Sequence, residues 1–454
     1  MYSVALLSPC GWGNLGDAAI VESTIHAVRT RLPEANIVGL TLNPEDTATR
    51  HGIPTYTCVG FQRPHYAVSV HAPFAEPVPA AELRPVDAPP ANGPRARLAG
   101  LRHRLRGVAL GRAALKVFSA VKAVPAEVRH RQYLAESMHD LRYVVVTGGG
   151  QLDDFWGGAW GHPYVIFRWM QHARSLGAKG LVLSVGTGSL TTPLARYFIH
   201  RALALADYRS FRDEGSRALV KHALVANDPV VPDLAFGLPV PERARPSAIE
   251  RGTNPLIAIS PIAYCDPEQW PEADETRYRS YLERLSEFCV ALLDAGFDLV
   301  LYGTDRPDLH TVEVLRAELE RRTSPERMKR VHTPRVRTLS EMFAALADAE
   351  LLVASRLHGI LLAQLFGIPS LALSYERKVS TLMTTLGHQG FCVPIETFGV
   401  ADALARFHTL YAERHARVEE LRRAAAGFSE QVNRQFDRVF GPRPDATSRE
   451  ELRP

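Results

Sequence analysis

The sequence predicts an α/β protein of two Rossmann-like domains facing a cleft, followed by a long C-terminal helix. Three observations predict it. Short apolar runs alternate with amphipathic stretches in both halves of the chain, the pattern of parallel sheets covered by helices. Many of those runs end in glycine, where a strand hands over to a helix. A polar stretch without period, Pro241 to Asn254, separates the halves. At 454 residues the chain suits two or three domains with ample core.

In order, Val4 to Leu7 reads as a buried strand, followed by PCGWGNLGD, a helix from about Asp17 to Arg31, and a strand from Ile37 to Leu40. Pro64 to Pro94 holds eight prolines in 31 residues, too many for regular structure, and helical periodicity follows from Leu98 to Val124. The α/β rhythm returns with Val144 to Val146, a helix near Tyr164 to Leu176, a strand from Leu181 to Val185 and another from Tyr208 to Phe211. The second half repeats it: strand Leu256 to Ile259, helix Tyr278 to Ala295, strand Asp298 to Tyr302, strand Leu351 to Ala354, then a helix stopped by Gly367-Ile368-Pro369. Val400 to Phe440 is the last helical stretch. The expected divisions are a domain over 1–240 with a Pro-rich and basic insertion at about 64–124, a linker at 241–254, a domain over 255–440, and a tail at 441–454. This is a GT-B-like architecture, whose ligand site is expected beyond the carboxyl ends of the strands, between the domains.

Composition narrows the class. Hydrophobic residues make up 46% and charged residues 22%, an ordinary globular balance. Five scattered cysteines without CxxC or a Cys/His pair argue against a disulfide framework or a structural zinc, and fit a reducing cytoplasm. The N-terminus lacks a basic region and a long enough apolar run for a signal peptide, and no stretch reaches the ~20 apolar residues of a membrane span. The basic charge is local. Arg95 to Arg131 carries ten Lys/Arg and one acid, a net of +9 against +4 for the whole chain, so the remainder is net −5.

Four stretches carry candidate chemistry. In GWGNLGDAAI, glycines let backbone approach a ligand, and Asp17 can cap the following helix; a tight structural turn is an equal reading. TGGGQLDDFWGG places Asp153, Asp154 and Trp156 in a loop whose carboxylates and flat rings suit a sugar, against the alternative of a solvated loop with a cap. Metal binding there lacks a third ligand at useful spacing. FRDEGS sets Arg212 at a strand end before a helix capped by Asp213. In ASRLHGILL, Ser355 is a natural N-cap and puts Arg356 and His358 in the first turn, where the helix dipole disfavours cations. Two cations there are tolerable if an anion binds between them, and such rule-breaking marks functional sites. Lys378 adds a positive charge at the next strand end.

In these residues the chain resembles the polysaccharide pyruvyl transferase family. The carrying motifs are GNLGDAAI at Gly13 to Ile20, TGGGQLDD at Thr147 to Asp154, SVGTGSL at Ser184 to Leu190, FRDEGS at Phe211 to Ser216, VPDLAF at Val231 to Phe236, and SRLHGILLAQLFGIPS with YERK at Ser355 to Lys378. Residues 64–124 have no counterpart in the resemblance. It implies transfer of a pyruvyl group from phosphoenolpyruvate to two hydroxyls of one sugar, giving a cyclic ketal and phosphate. It also implies a donor site around Arg212, Arg356, Leu357 and His358, to which Lys378 is added by position. His358 is the first candidate for general acid and base, because imidazole titrates near neutral pH, and Asp17 is the second. Asn14, Asp153, Asp154 and Trp156 are the acceptor-site candidates.

The scheme needs no metal and no cofactor, with phosphoenolpyruvate as co-substrate. A glycan or lipid-linked oligosaccharide is the expected acceptor, and the expected location is the cytoplasm. Two other readings use the same cleft: a GT-B-type glycosyltransferase acting on a nucleotide sugar, and a non-catalytic glycan-binding protein. For the basic segment, a packed helix with a solvated face competes with peripheral contact at the inner membrane surface. Nucleic-acid binding has no supporting motif there.

Overall fold

The computed structural model describes residues 2–8, 13–59, 125–154 without 126 and 135, 157–239, and 253–443 without 271. The Pro-rich stretch, the periodic segment from Leu98 to Val124, most of the 241–254 linker and Trp156 lie outside the described residues. So does the tail from 444.

The first sheet contains β1 (Tyr2–Leu7), β2 (Ala35–Thr41), β3 (Thr55–Thr57), β4 (Leu141–Val146), β5 (Gly149–Leu152), β6 (Lys179–Thr187) and β7 (Tyr208–Phe211). Its order is β3-β2-β1-β4-β6, with β5 and β7 also on β6, and every pairing is parallel. β4 and β5 run along the same side of β6, as Val146 pairs Val182 and Gly149 pairs Val185. They are one strand kinked at Gly148 and Gly149, both with positive φ (82° and 73°). A Cβ on Gly148 would also come within 3.0 Å of the Leu183 carbonyl oxygen, so only glycine fits the kink.

The second sheet holds β8 (Leu256–Ser260), β9 (Asp298–Leu301), β10 (Val331–His332), β11 (Ala349–Ala354), β12 (Ser370–Ser374) and β13 (Cys392–Pro394), again all parallel, in the order β10-β9-β8-β11-β12-β13. Each order turns around between its first strand and the one that follows on the other side, which opens a crevice at the carboxyl ends. Val353 and Ala354 on β11 are almost wholly buried, as an apolar run between two parallel neighbours should be.

The two sheets share one apolar core. It runs from Val4, Leu6 and Ile20 beneath the first sheet to Ile257, Leu352 and Ile360 around the second. The helix Val400–Phe440 fixes the halves together. Near its start Phe407 packs edge-on to Phe288 and Phe297. Near its end Arg31 pairs with Asp437 at 2.7 Å, and Gln435 reaches the first sheet. There it donates to Ser184 Oγ (3.0 Å) and accepts from Ser210, holding Ser184 at a φ of 47° inside β6. A left-handed serine in a strand is uncommon, and this network stabilises it. No helix among the described residues is long and apolar enough to cross a membrane.

Candidate active site at the facing strand ends

The carboxyl ends of the two sheets meet. The helix Leu15–Arg31 after β1 is capped by Asn14, whose Oδ1 accepts from the backbone N–H of Gly16 (2.8 Å) and Asp17 (3.1 Å). Asp17 therefore sits in the first turn rather than at the cap. Asn14 also donates through Nδ2 to Asp305 Oδ2 at 3.2 Å, and Leu15 N–H donates to the Thr304 carbonyl at 2.8 Å. Both partners follow β9, so the first loop of one half is bonded to the second half.

His358 comes from the opposite side. It lies in the first turn of the helix Leu357–Leu365, and its ring fits against Gly16 so closely that a Cβ there would stand 2.1 Å from Nδ1. Nε2 is 3.4 Å from Asp233 Oδ2, and Arg212 Nη1 reaches the same oxygen at 3.3 Å. Asp233 is 3% exposed, and its other oxygen accepts from Ala235 N–H at 3.0 Å. Burial pushes this carboxyl up, but His358, Arg212 and the Ala235 bond outweigh it and hold it well below the usual carboxylate range. A buried carboxylate thus ties an imidazole of one half to a guanidinium of the other.

Arg356 departs from the expected geometry. It is itself the N-cap residue of its helix and makes no side-chain cap bond, while Ser355 is fully buried. Its guanidinium forks onto Asp308, with Nε to Oδ2 at 3.0 Å and Nη2 to Oδ1 at 2.8 Å, and Nη2 is 3.4 Å from Asp305. The local conflict of a cation at a helix start is met by these two carboxylates. Burial opposes the charge of Arg356, yet Asp308 and Asp305 leave it more basic than usual. Leu357 behind it is buried.

Asp305 has the opposite character. Burial, together with the like charges of Asp308 and Asp17, pushes its carboxyl up to about 6 against the pull of Arg356. The folded state therefore keeps a proton that the unfolded chain gives up, and stability from this group falls as pH rises from about 4 to about 6. The Tm of Asp305→Asn minus that of the parent is expected to be more positive at pH 8 than at pH 4.5, by differential scanning calorimetry. A pH-independent difference would show that Asp305 titrates normally.

Lys378 pairs with Glu376 at 2.7 Å and lies 5.6 Å from the Tyr375 ring centroid. Burial and the nearby Arg212 oppose its charge, but Tyr375 and Glu376 raise it overall. Arg377 lies over Gly215, where a Cβ would be 2.4 Å from Nη2, adding another cation from the second half beside the helix that follows Arg212.

The acceptor-site expectations divide. Asn14 is at the junction. The Asp154 carboxylate accepts from Thr191 N–H and Oγ1 (both 2.9 Å to Oδ2) and from Thr192 N–H (2.9 Å) and Oγ1 (3.2 Å). Burial pushes this carboxyl up, but these bonds prevail and lower it, so Asp154 fastens the loop after β6. Asp153 packs against Gly188, where a Cβ would be 2.9 Å from its own Cβ.

Three charged positions at the facing strand ends were not singled out from sequence: Asp233, Asp305 and Asp308. A signal existed for two of them, since VPDLAF and the GTD after β9 each place an aspartate at a strand or helix boundary. His358 lies 125 residues from Asp233 and Asn14 lies 291 from Asp305, beyond the reach of local patterning.

Among solved structures the chain is similar to a Listeria monocytogenes protein assigned as a UDP-N-acetylglucosamine 2-epimerase, with a TM-score of 0.55 at 11% identity over 100% of this chain and 98% of that one. It is also similar to the UDP-GlcNAc 2-epimerase of Methanocaldococcus jannaschii, with a TM-score of 0.51 at 8% identity over 90% of this chain and 92% of the other. At such identities the likeness establishes the two-domain fold alone. No curated protein matches the chain significantly. The family model for polysaccharide pyruvyl transferases matches residues 14–377, a span running from Asn14 through Arg212, Asp233 and His358 to Arg377, and the chain belongs to that family.

Proposed function

We propose that the protein transfers a pyruvyl group from phosphoenolpyruvate to two hydroxyls of one sugar in a surface polysaccharide or its lipid-linked precursor. The products are a cyclic ketal and phosphate. The observation that carries this reading is the convergence of Arg212 and His358, from opposite halves, on one oxygen of buried Asp233. The donor is an anion whose neighbouring carbon must be protonated. A fixed guanidinium beside a fixed imidazole meets both needs.

In this scheme Arg212 and Lys378 face the phosphate and carboxylate, and Arg356 contributes its charge from the Asp308 fork. His358 as imidazolium delivers a proton to the donor's methylene carbon. The double-bond electrons form the new C–H bond and leave an oxocarbenium centre. One sugar hydroxyl attacks that centre, and its proton passes to the neutral imidazole or to Asp17. The second hydroxyl then displaces phosphate, whose C–O bonding pair leaves with it, and the proton of that hydroxyl passes to whichever of the imidazole and Asp17 is still unprotonated. Asp233 orients the imidazole by its bond to Nε2.

Arg212→Ala is expected to weaken phosphoenolpyruvate binding about tenfold or more, since a hydrogen bond to a charged group contributes ~1.5–3 kcal/mol. Calorimetric affinity equal to that of the parent would remove Arg212 from the donor site. The reaction itself is tested by incubating the protein with phosphoenolpyruvate and a panel of glycans, following phosphate release and the pyruvyl mass increment on the glycan. Turnover of a sugar nucleotide in place of phosphoenolpyruvate would overturn the reading.

A further inference from the structure

We infer that the outer face of the helices His162–Ser175 and Pro193–Leu205 docks on an anionic lipid surface. The inference goes beyond the transfer reaction and concerns a face that the site above does not use. The second helix turns Ala195, Phe198, Ile199 and Ala202 to the core, so the intervening positions belong to its outer side. Two of those are Leu194 and Tyr197, 40% and 53% exposed, where polar side chains are the rule. Trp160, in the turn before the first helix, is 55% exposed. Trp160 and Tyr197 both pack on the Phe198 ring, at 5.5 and 5.9 Å between centroids. Half-buried Tyr164 and Phe167 fill the space between them, 5.2 Å from Trp160 and 6.4 Å from Tyr197. Single exposed apolar residues are ordinary, but a continuous aromatic surface of this kind marks an interaction site.

Charge selects the partner. Neither helix contains an Asp or Glu, while Arg174, Arg196 and Arg201 on them are exposed. Exposed Arg131 joins them, with Nη2 3.5 Å from Gln171 Oε1. The carboxylates close by are already engaged: Glu127 is buried against Arg168, and Asp154 is held by Thr191 and Thr192. A second copy of this chain fits poorly, because a two-fold contact through this face sets arginines against arginines. An anionic bilayer fits both features. Trp and Tyr rings settle among headgroups, Leu194 reaches the acyl boundary, and the guanidiniums meet lipid phosphates.

Position gives the contact a use. Trp160 follows β5 and Leu194 follows β6, so both lie beyond the carboxyl ends of those strands. Arg212 follows β7, which pairs with β6, on the same edge of the sheet. A bilayer against Trp160, Leu194 and Tyr197 therefore holds that edge at the lipid surface. A substrate carried on a lipid anchor would then reach the facing strand ends by moving within the membrane plane.

Flotation of the full chain tests this, with vesicles of phosphatidylcholine alone and of equal parts phosphatidylcholine and phosphatidylglycerol. The parent is expected to float with the anionic vesicles, less so in high salt, and to stay behind with the neutral ones. The double variant Leu194→Glu, Tyr197→Glu is expected to bind the anionic vesicles about tenfold more weakly or worse. Both side chains are exposed, and a Glu at position 194 falls in the first turn of its helix, where an acid is favourable, so the fold is expected to hold. Ala401→Glu with Ala412→Glu on the C-terminal helix makes the same change in net charge elsewhere and should float like the parent. Hydroxyl-radical footprinting of the parent needs no substitution: vesicles should protect Trp160 and Tyr197, read by peptide mass spectrometry. The inference fails if the parent does not float, if the double variant floats equally well, or if both rings stay unprotected. It also fails if the parent forms a dimer that the double variant dissolves, since a second copy then occupies the face. None of these readings depends on turnover, so the transferase reading stands or falls separately.

Discussion

His358→Ala is expected to lose ~10²–10⁴-fold in turnover, the range for a positioned general acid or base, while still binding phosphoenolpyruvate. The reason is geometric. The ring lies between the two halves, against Gly16 on one side and 3.4 Å from Asp233 on the other. Its removal leaves Asp233 with Arg212 at 3.3 Å, so the buried carboxylate keeps a counter-charge and the fold is expected to survive. The decisive comparison is the rate of phosphate release against donor affinity in the same preparation. Turnover near that of the parent would remove His358 from the chemistry.

Gly16→Ala is expected to come close to the same loss without removing any titratable group. The new Cβ would stand 2.1 Å from His358 Nδ1, 2.3 Å from Cγ and 2.5 Å from Cβ. Such contacts cannot be absorbed in place. The backbone of Gly16 is held by Asn14, and the imidazole is held by Asp233 and its own helix. Either the ring leaves Asp233 or the halves separate, and overpacking of this kind costs ~1–3 kcal/mol. Turnover is expected to fall by two orders of magnitude, within the ~10²–10⁴-fold range of acid–base loss, and Tm to drop. Combining Gly16→Ala with His358→Gly should restore much of the Tm, because the ring and the Cβ 2.5 Å away are then both absent. Gly359→Ala is the control, since its Cβ would meet nothing nearer than Thr304 Cγ2 at 3.6 Å and its helix gains a better former. Parent-like turnover in Gly16→Ala would show that the two halves do not work at this separation.

Much of the architecture was legible in the sequence. The helix Val400–Phe440 has the predicted limits, and β7 over Tyr208–Phe211 was also read correctly. These elements declare themselves through periodicity that a short window contains. The short strands β3, β10 and β13, and the helix Pro44–His51, were not read, because two to eight residues carry too little pattern. His358 and Arg212 stood out because each violates or punctuates a local rule at a strand end.

What the sequence by itself determined is the pair of Rossmann-like halves, the helix behind them, and the motif residues aimed beyond the strand ends. Only the tertiary structure decided which charges face one another. It gave Arg356 to Asp308, Asp154 to Thr191 and Thr192, and Asp233 jointly to Arg212 and His358. It also set Asn14 on Asp305. The physical reason is range. Backbone propensity and apolar period act over a few residues, whereas the charge and burial at these strand ends depend on partners brought together from 21 to 291 residues apart.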